Sequence, residues 1–142
     1  MKTHTQKVVC YLTSRRHLLV LTHLDVPLLH AGVQVPAGTI EAGESAERAA
    51  VREVQEETRL SGLSVVGAIG ADTYDISPIR YEIQHRTFVH LRTDADVSRR
   101  WQAGEARPSD GGAGHRWECW WMPMEHAHVL AAAQGRFIHL LA

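Results

Sequence analysis

GTIEAGESAERAAVREVQEETRL, residues 38–60, is the stretch on which the reading of this chain turns. It opens on Gly38 and runs through Glu44, Arg52, Glu53, Val54, Glu56 and Glu57 to Leu60. From Ser45 onward it predicts a helix. Ser45 is a suitable N-cap, Glu47 sits in the positively polarised first turn, and AERAAVREVQEE holds neither Gly nor Pro. A helix advances about 100° per residue, so Glu53, Glu56 and Glu57 fall within one sector of roughly 100°. Ala50, Val51, Val54 and Thr58 occupy the adjoining sector, which should face a sheet. The acidic cluster therefore borders the buried face, at the lip of a cleft.

That pattern is a poor way to stabilise a helix. Like charges three or four residues apart cost a few tenths of a kcal/mol each, and the Arg52–Glu56 pair returns about as much as one such clash removes. A divalent cation would remove the repulsion, and Mg²⁺ favours hard carboxylate oxygens together with phosphate and water. Before the helix, Gly38 and Gly43 allow a tight turn or a close backbone approach to a phosphate, and Pro36 stiffens the entry.

The spacing Gly38, Glu44, Arg52-Glu53-Val54, Glu56-Glu57, Leu60 resembles the signature box of the Nudix hydrolases, G-x5-E-x7-R-E-U-x-E-E-x-G-U with U aliphatic. Only the final Gly is replaced, by Arg59. The resemblance implies an α/β (α+β) fold, an α/β/α sandwich with a mixed sheet and the box as loop–helix–loop. It implies Mg²⁺, with Mn²⁺ as a substitute, held by Glu53, Glu56, Glu57 and the backbone carbonyl of Ala37. It also implies that Arg52 orients the carboxylates and that Glu44 holds the loop against the helix, so that Arg52, Glu53, Glu57 and Glu44 form the catalytic set. The general base varies in such enzymes; here Glu53, Glu105, Asp110 and Glu118 are candidates. The implied reaction is water attacking phosphorus in a diphosphate linkage of a nucleoside diphosphate derivative. At Arg59 a non-glycine residue in a left-handed cap costs roughly 1–2 kcal/mol. A helix running on through Leu60 and closing at Ser61-Gly62 would avoid that cost. Activity is expected to survive either way.

Outward from the box, the 142 residues suit one domain (1–142), and 44% hydrophobic with 22% charged residues is ordinary globular composition. A net charge of −1 supplies no field for nucleic-acid polymers or anionic membrane. No secretory pattern or membrane-length apolar run is present, so a cytoplasmic location is expected. Cys10 and Cys119 match no metal or redox pairing and read as buried small hydrophobes. The ten histidines are scattered.

Residues 8–13 (VVCYLT) and 17–23 (HLLVLTH), separated by SRR, predict two paired strands. Residues 25–34 predict a loop into a short strand at 33–35. Further strands are expected at 63–71, 81–92 and 116–122, a mobile insertion at 93–115, and a helix at 124–134 capped by Gly135. In the 116–122 strand, Trp117 and Trp121 should face one side and Trp120 the other.

Outside the box the signals for substrate are weak. Gly38, Gln34, His23, Arg80 and Arg86 are candidate substrate contacts, and Pro78, Tyr74 and Tyr81 miss the positions that mark substrate subgroups of Nudix enzymes. A small-molecule nucleotide is the expected partner, and family habit adds a homodimer. Two rivals stand beside the hydrolase. A catalytically silent Nudix-like nucleotide-binding module would not require all three carboxylates. A histidine-rich metal carrier would bind zinc or nickel without Glu57.

Overall fold

A computed structural model describes residues 1–105 and 115–141. Among these residues eight strands form one sheet: β1 (Thr3–Ser14), β2 (His17–His23), β3 (Val33–Gln34), β4 (Ala37–Thr39), β5 (Ser64–Asp75), β6 (Glu82–Arg92), β7 (Trp101–Glu105) and β8 (His115–Pro123). One long helix, α2 (Ala46–Thr58), follows a single-turn helix, α1 (Leu28–Ala31). The main path of the sheet runs β5-β6-β1-β2-β8-β7. It is mixed: β1 and β6 are parallel, and the remaining pairs are antiparallel.

The central strands are buried on both faces, which is why VVCYL reads as a continuous apolar run instead of an alternating one. Val8, Cys10 and Leu12 of β1 join Leu19, Leu21, Val89, Leu91, Trp117 and Trp121 beneath Ala49, Ala50 and Val54 of α2. Val9, Tyr11, Leu18, Val20, Phe88 and Met122 face the other way, against Ala127 and Leu130. Full burial of a side chain such as Val54 contributes about 1.5–3 kcal/mol. The tryptophans divide as the strand period requires: Trp117 and Trp121 pack on the α2 side, Trp120 on the other.

Three expectations change. Residues 124–134 form no α-helix: Met124–Val129 is a 3₁₀ helix, and Ala132 and Ala133 both have positive φ. The chain bends there to set Ala127 and Leu130 into the core, and Gly135 makes no left-handed cap. Residues 25–34 include the α1 turn as well as a loop. The 93–115 region is no mere insertion, because Trp101–Glu105 is the edge strand on β8 and Ala95 and Val97 pack on the core. Of the two ends left open for α2, closure at Arg59 or at Ser61-Gly62, the structure has the first. Arg59 takes the left-handed conformation (φ 63, ψ 15) and donates its N–H to Gln55 O. Asp110 and the run at 110–114 lie outside the described residues.

The β1–β2 connection is a two-residue turn in which Ser14 faces His17 and both Arg15 (φ 47) and Arg16 (φ 61) are left-handed. Such turns favour Asn and Gly, and each non-glycine L-residue in that region costs roughly 1–2 kcal/mol. Among the described residues no helix is long and apolar enough to cross a membrane.

Candidate active site

A split in the sheet builds the site. β1 pairs with β2 only at its end, where Thr13 meets Leu18 and Ser14 meets His17. Nearer its start β1 pairs with β4, placing Val9 opposite Ala37, Val8 opposite Gly38 and Lys7 opposite Thr39. Helix α2 lies over this wedge, beginning where Ser45 Oγ accepts the Arg48 N–H at 3.1 Å.

Gly38 and Glu53 meet at the centre. A Cβ on Gly38 would stand 2.0 Å from Glu53 Cδ and 2.3 Å from each carboxylate oxygen, so a glycine is required for this carboxylate to lie where it does. Glu53 is buried, and its Oε1 accepts from Arg52 Nη1 at 2.8 Å. Arg52 ties loop to helix. Its Nε and Nη2 grip both oxygens of Glu44 at 2.8 Å, and Nη2 also donates to Thr39 O at 2.9 Å. Glu44 in turn accepts the Glu41 N–H at 3.1 Å. The Arg52 bonds, with that N–H, hold Glu44 at about 2. Fork-to-fork pairing of this kind fixes orientation as well as adding energy.

Glu57 completes a second contact. Its carboxyl touches that of Glu53 and accepts the Ala37 N–H. Burial, then the neighbouring Glu53, pushes Glu57 well above the usual carboxylate range. Burial also raises Glu53, against the pull of Arg52. Glu56 points outward, exposed, with its Oε2 3.4 Å from Arg52 Nη1. Among the described residues no three His, Cys, Asp or Glu groups are gathered into a ready metal cage. Even so, a buried carboxylate beside a half-buried one, both raised above the ordinary carboxylate range, has the chemistry of a site for a hard cation.

The far end of α2 is fastened by indoles. Trp117 Nε1 donates to Glu57 O at 2.7 Å and Trp101 Nε1 to Thr58 O at 2.8 Å, satisfying carbonyls that a helix end leaves without partners. The backbone that carries Glu57 is thereby anchored to β7 and β8.

Beside Ala37 and Gly38 opens a cavity of about 380 Å³, with Lys7, Gln34, Tyr74, Gln84 and Gln134 among its lining residues. Gln34 reaches it, its Nε2 bonded to Ala31 O at 2.8 Å. Arg86 also lines it, but its guanidinium is buried, bonded at two points to Asp72 at 2.8 Å and donating to Ala132 O. Arg80 is exposed in the turn before β6 and is not part of the cavity wall. His23 lies at the end of β2, edge-on to Trp117 with ring centroids 6.0 Å apart; burial and His115 lower its pKa, and a bond to Gln34 partly offsets this. Glu118 stands on the sheet face opposite α2, ion-paired with Arg100. The side chain of Glu105 lies outside the described residues, as does Asp110.

Sequence reasoning missed Lys7, whose Nζ donates to Thr39 Oγ1 at 2.7 Å on the cavity wall. The expected strand started at Val8, whereas β1 begins at Thr3. Counting two residues back from Val9 would have placed Lys7 on the same face.

Comparison with known proteins agrees with this architecture. A solved E. coli dihydroneopterin triphosphate pyrophosphohydrolase superposes with a TM-score of 0.69 at 18% identity, covering 99% of this chain and 97% of that one. A MutT protein from Methanosarcina mazei Go1 gives 0.67 at 19% identity, covering 98% and 93%. Nudix hydrolase 25 of Arabidopsis thaliana is 38% identical over 71 residues, which are 49% of this chain and 39% of that relative's length. The NUDIX domain profile matches residues 3–141, and the chain belongs to that family.

Proposed function

We propose that this chain is a Nudix-type pyrophosphohydrolase that cleaves a diphosphate linkage in a nucleoside diphosphate derivative, using Mg²⁺ or, in its place, Mn²⁺. The observation that carries the reading is the seat of Glu53: a glycine cleared beneath its carboxylate and an arginine locking it from the side. A solvated helix face needs neither. Glu53, Glu56 and Glu57, with the Ala37 carbonyl, would hold the cation, which when bound polarises phosphoryl oxygens and offsets charge in the transition state.

The chain's own groups do the rest. Arg52, clamped by Glu44, keeps Glu53 in one orientation, and Glu53, raised by burial, accepts the proton of the attacking water. Water adds to phosphorus, the P–O–P bond breaks, and two phosphorylated products leave. The cavity beside Gly38 receives the group beyond the phosphates, with Gln34 and the Lys7 ammonium on its wall. Its size suits a small-molecule nucleotide, not a polymer. The buried thiols of Cys10 and Cys119 fit a cytoplasmic enzyme, and a homodimer is the assembly we expect.

The test is a panel of nucleoside diphosphate derivatives with Mg²⁺ or Mn²⁺ in ¹⁸O-labelled water. Two phosphorylated products, one carrying label, are expected, and Glu57→Gln should abolish them. Binding of one panel member with no cleavage of any would favour the silent nucleotide-binding module instead.

A further inference from the structure

A second cavity, larger than the one beside Gly38, lies away from the acidic cleft. It measures about 750 Å³ and opens at the other end of β1, between the β1–β2 turn, the end of β6 and the C-terminal 3₁₀ segment. Along β1 that is roughly 20 Å from Gly38's partner Val8. Arg15, Arg16 and Arg92 line it against a single carboxylate, Glu125, in a chain whose net charge is −1. Among the described residues none of the three arginines is in an ion pair. A concave wall carrying one sign of charge concentrates counter-ions.

The turn adds an independent observation. Arg15 and Arg16 occupy the two left-handed positions of a hairpin where Asn-Gly would fold at least strain. Both side chains are exposed, so core packing does not repay that strain. The backbone is nonetheless held: Met124 N donates to Arg16 O at 3.1 Å, and His17 Nδ1 lies 2.8 Å from Arg15 O. Sparsely populated backbone conformations that persist without a packing reward cluster at ligand sites. Met124, Ile138 and Leu141 give the wall an apolar patch, beside the polar Thr13, Ser14, His90, Thr93 and His139.

We propose that this cavity is a second ligand site, which takes a small organic phosphate with its anionic end on Arg15, Arg16 and Arg92 and its apolar body against Met124, Ile138 and Leu141. Guanidinium groups suit a phosphate because each can donate two parallel bonds to it. The site is separate from the acidic cleft and needs no divalent cation.

Titration calorimetry of the metal-free full chain with phenyl phosphate tests this. One saturable site is expected, at least about tenfold tighter than for inorganic phosphate because a ring is buried. Arg92→Ala and Arg16→Gly should each weaken it about tenfold. Arg16→Gly should at the same time raise the melting temperature, since glycine relieves the turn; a merely structural role for Arg16 cannot give weaker binding with higher stability. Lys7→Ala, in the cleft, should leave phenyl phosphate affinity unchanged. The proposal is overturned by the absence of a saturable site, by equal affinity for inorganic phosphate, or by affinity that falls in Lys7→Ala and not in the arginine variants.

Discussion

Substituting Gly38 by Ala places one methyl group where Glu53's carboxylate now lies. The new Cβ would be 2.0 Å from Cδ and 2.3 Å from both oxygens, more than 1 Å inside the separation at which carbon and oxygen normally touch. Glu53 is the side chain that must move, since Gly38 is held in β4 by its pairing with Val8. Moving it breaks the 2.8 Å bond to Arg52, and overpacking of this kind costs roughly 1–3 kcal/mol. For a chain of this length that is a fall in melting temperature of roughly 4–10 °C. On the role proposed for Glu53, displacing its carboxylate by about 1 Å should lower kcat on the order of a hundredfold. Calorimetry and steady-state hydrolysis read the two quantities. The cause is isolated by a double-mutant cycle: in a Glu53→Ala background the Gly38→Ala penalty on stability should nearly vanish. If Gly38→Ala keeps wild-type stability and turnover, or if its penalty persists without the Glu53 carboxylate, the close approach is not what positions the site.

Other expectations follow from single contacts. Arg59→Gly should stabilise the chain by about 1 kcal/mol while leaving hydrolysis in place, because Arg59 occupies a left-handed cap; a lower urea midpoint would contradict this. Trp117→Phe removes the donor to Glu57 O and should cost roughly 1–2 kcal/mol, with a loss of turnover beyond that of an equally destabilising change away from α2. Burial pushes the Tyr11 hydroxyl up to about 12, where its proton is donated to Gln134 O. That group's contribution to stability is complete below about pH 10 and is lost as pH rises through about 12, so Tyr11→Phe should show a shallower alkaline loss of stability over that window.

What the sequence disclosed was local. The capped, glycine-free run after Ser45 specifies α2, and the apolar stretches on either side of SRR specify the hairpin, because each depends on neighbours a few residues away. The start of β1 was hidden: THTQK is polar, and only the parallel partner β6 makes it a strand. Trp101–Glu105 was hidden for the same reason, since β8 completes its hydrogen bonds. Residues 124–134 have the composition of a helix, but core packing of Ala127 and Leu130 overrides that weak preference. Within the site, spacing alone placed Glu53 and Glu57 on one side of α2. The seat under Glu53 and the indoles at the end of α2 each need a residue far away in the chain, which no periodicity reports.

The parallel pairing of β1 with β6 also bears on how the molecule comes into being. Thr3 stands opposite Glu82 and Thr13 opposite Arg92, so the central strand waits for more than half of the chain before one of its sides is covered. The β1–β2 hairpin forms on the microsecond scale of local closure, whereas the β1–β6 ladder must first close a very long loop. During synthesis from the N-terminus, the nascent polypeptide therefore carries an uncovered VVCYL edge until β6 has been made. Folding should accordingly be slow for a chain of this size, with high contact order, and crowded refolding should lose yield to intermolecular strand pairing before it loses it anywhere else.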